Sequence, residues 1–231
     1  TDARSVQELL PIQVRPGTVL GGRYRIVKTL GAGGMGKVFA AHDQQLERPV
    51  ALKVLAVMGN QSFDPEEMFE REAKLLAGLQ HPNIVAVHEM ASQGDVNYIV
   101  MDLVEGTPGD TVLERVRQQL LGARPRDVRL LSEGISQPRP EGHSTLLDET
   151  SWFRGVSRIM AEIVRTIEAA HASGLVHRDI KPQNVMLRGD GRPCILDFGI
   201  AGIRDQEGGE VTGGLFGTVP YLAPEQVRAS A

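Results

Sequence analysis

Cysteine is almost absent. Cys194 is the single thiol in 231 residues. One thiol closes no internal disulfide and builds no cysteine-rich metal site, so a reducing, cytoplasmic compartment is expected. No basic excess exists either. With 25 Lys and Arg against 29 Asp and Glu the net charge is −4, which gives no argument for a nucleic acid or an anionic membrane as partner. No run of about 18 apolar residues is present, so no membrane segment is expected. There is no signal-peptide pattern, and no internal repeat or low-complexity tract.

What is there is ordinary globular composition, 41% hydrophobic and 23% charged, in a chain long enough for a real core. Residues 1–20, punctuated by Pro11, Pro16 and Gly17, read as a leader. Tyr24 to Leu30 alternates like a strand. A glycine cluster follows, and Lys37 to Ala41 resumes strand character. Pro49 to Leu55 gives a third strand, Ile84 to Glu89 a fourth and Asn97 to Met101 a fifth. Asp64-Pro65-Glu66-Glu67 has the signs of a helix start: a capping Asp, Pro in the first turn and acids near the positive helix end. Phe69, Leu75, Leu76 and Leu79 fit that helix's apolar face. Thr111 to Leu120 has helical composition. Residues 123–150 lose all period and read as an insertion, with a solvated loop weighed against a docking or regulatory role. Ser157 to Ser173 is an amphipathic helix, with Ile159, Ile163, Val164, Ile167 and Ala170 on one face and Gly174 as its terminator.

Gly31-x-Gly33-x-x-Gly36-x-Val38 is a phosphate-binding candidate, and alone it is weak. A dinucleotide fold needs a helix after the loop, and here a strand follows. A P-loop needs a hydroxyl residue after its lysine, and Val38 follows Lys37. A glycine hairpin lying over a nucleotide remains, since missing Cβ atoms let backbone approach phosphates. Lys53 ends an apolar strand, and an amine in that setting needs an anion. Glu72 on the following helix is the preferred counter-charge, with Glu70 as its rival.

His177-Arg178-Asp179-Ile180-Lys181-Pro182-Gln183-Asn184 is far more specific. Transfer of a phosphoryl group to a hydroxyl needs a carboxylate for the proton, which Asp179 supplies. It needs positive charge near the moving group, which Lys181 supplies, and oxygen ligands for a metal, which Asn184 and Asp197 supply. Asp197-Phe198-Gly199 and Ala223-Pro224-Glu225 follow in order.

With these motifs in this order, the chain resembles the eukaryotic-type protein kinases. The wording GTVLGGRYRI, GAGGMGKVF, HPNIV, HRDIKPQN and YLAPEQ is similar to the bacterial Ser/Thr branch. Lys181 and the pair Gly217-Thr218 favour Ser/Thr over Tyr acceptors. The resemblance implies an α+β, two-lobed protein-kinase fold: an N-lobe at 21–104, with a five-stranded antiparallel sheet and one helix, and a mainly helical C-lobe from 105–231. It implies ATP and Mg2+ as cofactors, with Mn2+ as a substitute, and Ser/Thr proteins as substrates. Leu30, Gly31, Ala32, Gly33, Gly34, Met35, Gly36, Val38, Ala51, Lys53, Met101, Asp102, Val104 and Met186 would surround the nucleotide. Met101 resembles the gatekeeper, Asp102 to Val104 the hinge. Arg178 would pair with a phosphate on the activation loop, for which Thr212 is the candidate, and autophosphorylation suggests a homodimer. It further implies C-lobe helices beyond Ala231, so this chain alone is expected to fold poorly or be inactive. A non-catalytic nucleotide-binding scaffold is the competing reading, disfavoured because Lys53, Glu72, Asp179, Asn184 and Asp197 are all present.

Overall fold

The computed structural model describes residues 14–33, 36–55, 81–119, 135, 152–198, 218–224 and 226. The chain divides into two compact units, Thr1–Gly78 with Ala86–Leu103, and Leu79–Val85 with Val104–Ala231.

The first unit is an antiparallel sheet of β1 (Val19–Leu20), β2 (Tyr24–Gly33), β3 (Gly36–Asp43), β4 (Arg48–Leu55), β5 (Val87–Gln93) and β6 (Val96–Asp102), ordered β1-β2-β3-β4-β6-β5. The five expected strands are joined by a sixth, from residues read as leader. Gly21 and Gly22 take positive φ, +58° and +63°. That lets the chain reverse so that Leu20 pairs with Tyr24. The expected strand from Ile84 starts later, at Val87. Ile84 instead bridges Ile195 in the second unit. The helix expected from Asp64 lies outside the described residues.

Period-two geometry sorts the central strands. Val50, Leu52 and Val54 of β4 enter a core with Tyr24, Ile26, Phe39, Ala41, Tyr98 and Val100. Ala51 and Lys53 take the opposite face, so β4 is buried on both sides. Polar groups tie distant strands of this sheet together. Asp43, fully buried, accepts two 2.7 Å bonds from Arg23, through Nε and Nη2. It also accepts the backbone N–H groups of Gln45 and Leu46. Tyr24 Oη donates to Glu89, and Gly21 N donates to Gln93 Oε1 at 2.7 Å. Residues of the β1–β2 end thus reach β5 at the far edge, and the sheet curls on itself. The Arg23 guanidinium bonded to it holds the Asp43 carboxyl well below the usual carboxylate range.

The second unit contains α1 (Gly109–Gln119), α2 (Trp152–Ala172) and a small sheet β7-β8-β9, of Thr107–Pro108, Val185–Leu187 and Pro193–Ile195. On α2 the buried positions are Gly155, Ile159, Ile163, Thr166 and Ala170, spaced three and four apart. Val164, expected on that face, is 59% exposed. One helical step of about 100° from Ile163 carries it out of the stripe. Gly174 ends the helix at φ +78°, its N–H bonded to His171 O. The buried Asn83 of the HPN segment donates to Thr166 Oγ1 and Glu162 Oε2 at 3.3 Å, and its carbonyl accepts Ile195 N–H at 2.7 Å. One asparagine therefore fastens α2 to β9. Of the insertion expected at 123–150, only Ile135, which is buried, lies within the described residues.

Candidate active site

In the first unit the glycine hairpin is the β2–β3 turn. Gly31 pairs with Val38 and Gly33 with Gly36. Leu30, Gly31, Ala32 and Gly33 are exposed; Gly34 and Met35 lie outside the described residues. The glycines differ in what demands them. A Cβ on Gly31 or Gly33 would meet nothing within 4 Å. One on Gly36, at φ +137°, would run into the Val54 carbonyl oxygen and lie 3.0 Å from its carbon. Gly36 is therefore required by the fold, whereas Gly31 and Gly33 leave open space above the backbone.

Register sets the next residues. Val38 lies opposite Lys53, and Ala51 opposite Met101. Opposed residues share a face, so Val38, Ala51, Lys53 and Met101 form one surface, away from the core. Lys53 is 5% exposed and Met101 equally enclosed. Glu72 and Glu70 lie outside the described residues. At the end of β6, Asp102 N donates to Ala86 O at 2.9 Å, and its carboxylate meets His88 Nε2 at 2.7 Å. Sequence reasoning did not find that histidine.

In the second unit the loop before β8 carries a dense polar cluster. Asp179 Oδ2 receives Lys181 Nζ at 2.6 Å and Asn184 Nδ2 at 3.2 Å. Asp179 Oδ1 receives the N–H and hydroxyl of Thr218 at 3.3 and 3.4 Å. Lys181 Nζ also donates to Thr218 Oγ1 at 2.8 Å. A short lysine–carboxylate contact balances the charge locally and fixes both groups. Thr218 was legible only as wording before YLAPE. No spacing rule links it to a carboxylate 39 positions away.

His177 lies beneath this loop, 1% exposed. Nδ1 accepts the Asp179 N–H at 3.3 Å and Nε2 donates to Leu196 O at 2.8 Å. That pattern needs a neutral ring protonated at Nε2. Burial, which disfavours the imidazolium, pushes its pKa down and agrees with it. The ring centroid is 4.7 Å from that of the buried Phe198. Two non-glycine residues adopt left-handed backbone here, Arg178 at φ +63° and Asp197 at φ +60°. Such conformations concentrate at functional sites.

Asn184 and Asp197 come together through β8 and β9. Val185 pairs with Ile195, and Leu196 N donates to Asn184 O at 2.8 Å. The Asn184 amide gives its N–H to Asp179 O at 2.8 Å and to Oδ2, and those bonds leave its side-chain oxygen over. An amide oxygen and a half-buried carboxylate suit a hard divalent cation that takes its remaining ligands from water and phosphate. Among the described residues no cluster of three or more His, Cys, Asp or Glu could hold a metal. Met186 is half-buried on β8, paired with Pro108 and Cys194, and Val104 is half-buried just before β7. Gln226, unmarked in sequence reasoning, donates from Nε2 to Arg178 O at 2.8 Å and accepts Ala223 N–H at 3.0 Å.

Known proteins are similar to this chain. The protein kinase domain family matches residues 24–231. The serine/threonine-protein kinase PknA of Mycobacterium tuberculosis is 36% identical over 219 residues, 92% of this chain and 43% of its own length. PrkC of Bacillus subtilis is 34% identical over 212 residues, 92% of this chain and 28% of its own length. The chain thus spans less than half of these curated relatives. The crystal structure of the Mycobacterium tuberculosis PknI kinase domain is 26% identical, covers 81% of this chain and 63% of that one, and superposes with a TM-score of 0.55. The matched residues include the glycine hairpin, Lys53 and the HRD and DFG segments, and the chain is a member of the protein kinase domain family.

Proposed function

We propose that the protein transfers the γ-phosphoryl group of ATP to Ser or Thr hydroxyls of proteins. The observation that supports this best is the Asp179 carboxylate gripped by Lys181, Asn184 and Thr218. The names of the relatives above point the same way.

Asp179 orients the incoming hydroxyl and takes its proton. The hydroxyl oxygen forms a bond to the γ-phosphorus as the bond to the ADP oxygen breaks. Lys181 balances charge on the transferring oxygens. The transition state is loose, so positioning does most of the work. Lys53 holds the α- and β-phosphates, with Glu72 as its counter-charge. Gly31 and Gly33 admit the phosphates to the backbone; Leu30, Val38, Ala51, Met101 and Met186 enclose the base, and Asp102 to Val104 offer it backbone groups. A bound Mg2+, or Mn2+ in its place, would neutralise phosphate charge, held by Asn184 and Asp197. The protein works in the cytoplasm and autophosphorylates at Thr212 through a homodimer, with Arg178 receiving the new phosphate.

The test is incubation of the full-length protein with γ-labelled ATP, Mg2+ and a general protein acceptor. Label on phosphoserine or phosphothreonine, with Thr212 among the modified sites, is expected. No transfer from a folded protein that binds ATP would replace this reading with the nucleotide-binding scaffold.

A further inference from the structure

The peptide unit immediately before Asp179 is held at both ends. Its N–H, from Asp179, is accepted by His177 Nδ1 at 3.3 Å. Its carbonyl, from Arg178, accepts a bond from Gln226 Nε2 at 2.8 Å. The residue between these anchors, Arg178, has left-handed backbone at φ +63°. A non-glycine residue stays in that region only when its surroundings hold it there. The plane of this peptide decides where the Asp179 side chain leaves the backbone, so the two bonds aim the carboxylate.

Gln226 has a second task that shows why it is a glutamine. Its Oε1 accepts Ala223 N–H at 3.0 Å, and its own N–H donates to Ala223 O at 3.0 Å. With Pro224 next in the chain, this is the N3 half of a capping box: Ala223 as N-cap, Pro224 at the first position and Gln226 at the third, its side chain accepting the N-cap N–H. Glutamate fills the third position equally well, because the box needs only an acceptor. The contact to Arg178 O needs a donor, which glutamate lacks. Amide nitrogen and amide oxygen thus serve different partners, one on the catalytic loop and one on the turn after Thr218.

We propose that Gln226 is a positioning residue for phosphoryl transfer. It locks the Arg178–Asp179 peptide to the capped turn at 223–226 and so holds Asp179 in register with Thr218. The segment 218–226 then grips the catalytic loop at two points: Thr218 on the carboxylate itself and Gln226 on the peptide behind it. The proposal rests on the kinase reading.

The test compares Gln226→Glu, Gln226→Ala and the wild type in the full-length protein. Steady-state kinetics with ATP and a protein acceptor are measured beside thermal denaturation. Gln226→Glu keeps the capping box and loses the donor. It is expected to melt within about 2 °C of wild type, while kcat falls roughly 5- to 10-fold and KM for ATP moves less than about 2-fold. Gln226→Ala is expected to show a similar kcat loss with an added fall in melting temperature. If Gln226→Glu turns over like wild type while Gln226→Ala alone is impaired, Gln226 only caps the turn and the proposal is overturned. If both variants match wild type, it is overturned as well. An inactive wild type would instead count against the kinase reading.

Discussion

Gly33→Ala and Gly36→Ala each replace one α-hydrogen with a methyl group in the same hairpin, and the two are expected to fail in opposite ways. At Gly36 the new Cβ would drive into the Val54 carbonyl oxygen and lie 3.1 Å from Leu55 Cα. These are backbone atoms of the paired strand, with Gly36 opposite Leu55, so no side-chain rotation relieves the overlap. The backbone is also at φ +137°, which a residue with a Cβ adopts at a cost of about 1–3 kcal/mol. Adding the overlap gives about 2–4 kcal/mol. For a unit of roughly 100 residues that is a loss of about 10 °C or more in melting temperature. At Gly33 nothing lies within 4 Å of the new Cβ, and φ is not in the left-handed range. The melting temperature should stay within about 3 °C. On the proposed kinase reading Gly33 admits a phosphate, so the KM for ATP should rise several-fold. Differential scanning calorimetry and ATP titration of the two variants give the answer. A stable Gly36→Ala, or a destabilised Gly33→Ala with unchanged ATP affinity, would refute the division between fold-required and ligand-required glycines.

Asp43→Asn tests the buried cluster that curls the sheet. It removes the charge that takes two 2.7 Å Arg23 bonds and leaves the half-buried guanidinium its longer 3.4 Å contact with Glu89; Asp43 itself is fully buried. The expected loss is about 2–3 kcal/mol by denaturant titration, with little change in kcat. Because Asp43 titrates below its unfolded value of about 4, the unfolded chain binds the extra proton first as pH falls. Its contribution is complete above about pH 4 and lost progressively below. Asp43→Asn should flatten that acid limb, and an unchanged limb would remove Asp43 from the explanation. Thr218→Ala takes away the hydroxyl shared by Lys181 and Asp179. A kcat loss of roughly 10-fold, restored to within about 3-fold by Thr218→Ser, is expected from kinetics.

The clustering of Asp179, Lys181 and Asn184 was legible because these residues are local in sequence. Asp179, Lys181 and Asn184 lie within six positions, and the spacing itself announces the loop. The paired faces of β3, β4 and β6 were legible for a similar reason, since period two sends Ala51 and Lys53 one way and Leu52 the other. What escaped depends on contacts between distant residues. Thr218 and Gln226 reach the catalytic loop across 39 and 48 positions. Arg23 and Glu89 are 66 apart, and each alone is an unremarkable charged residue. The short strand at Val19 was hidden because Gly21-Gly22 looks like any loop punctuation until the hairpin closes. Val164 was misplaced by the reverse error: an apolar residue one position from a buried one need not share its face.

The central claim is that Asp179, held by its neighbours, takes the proton of the accepting hydroxyl. The direct measurement is single-turnover phosphoryl transfer by full-length Asp179→Asn beside wild type, with ATP affinity measured on the same samples. Asparagine preserves size and keeps one acceptor oxygen for the donors around it, but cannot accept the proton. The account predicts a rate at least roughly 100-fold lower with ATP affinity within about 3-fold. A variant that binds ATP and transfers at the wild-type rate would contradict it.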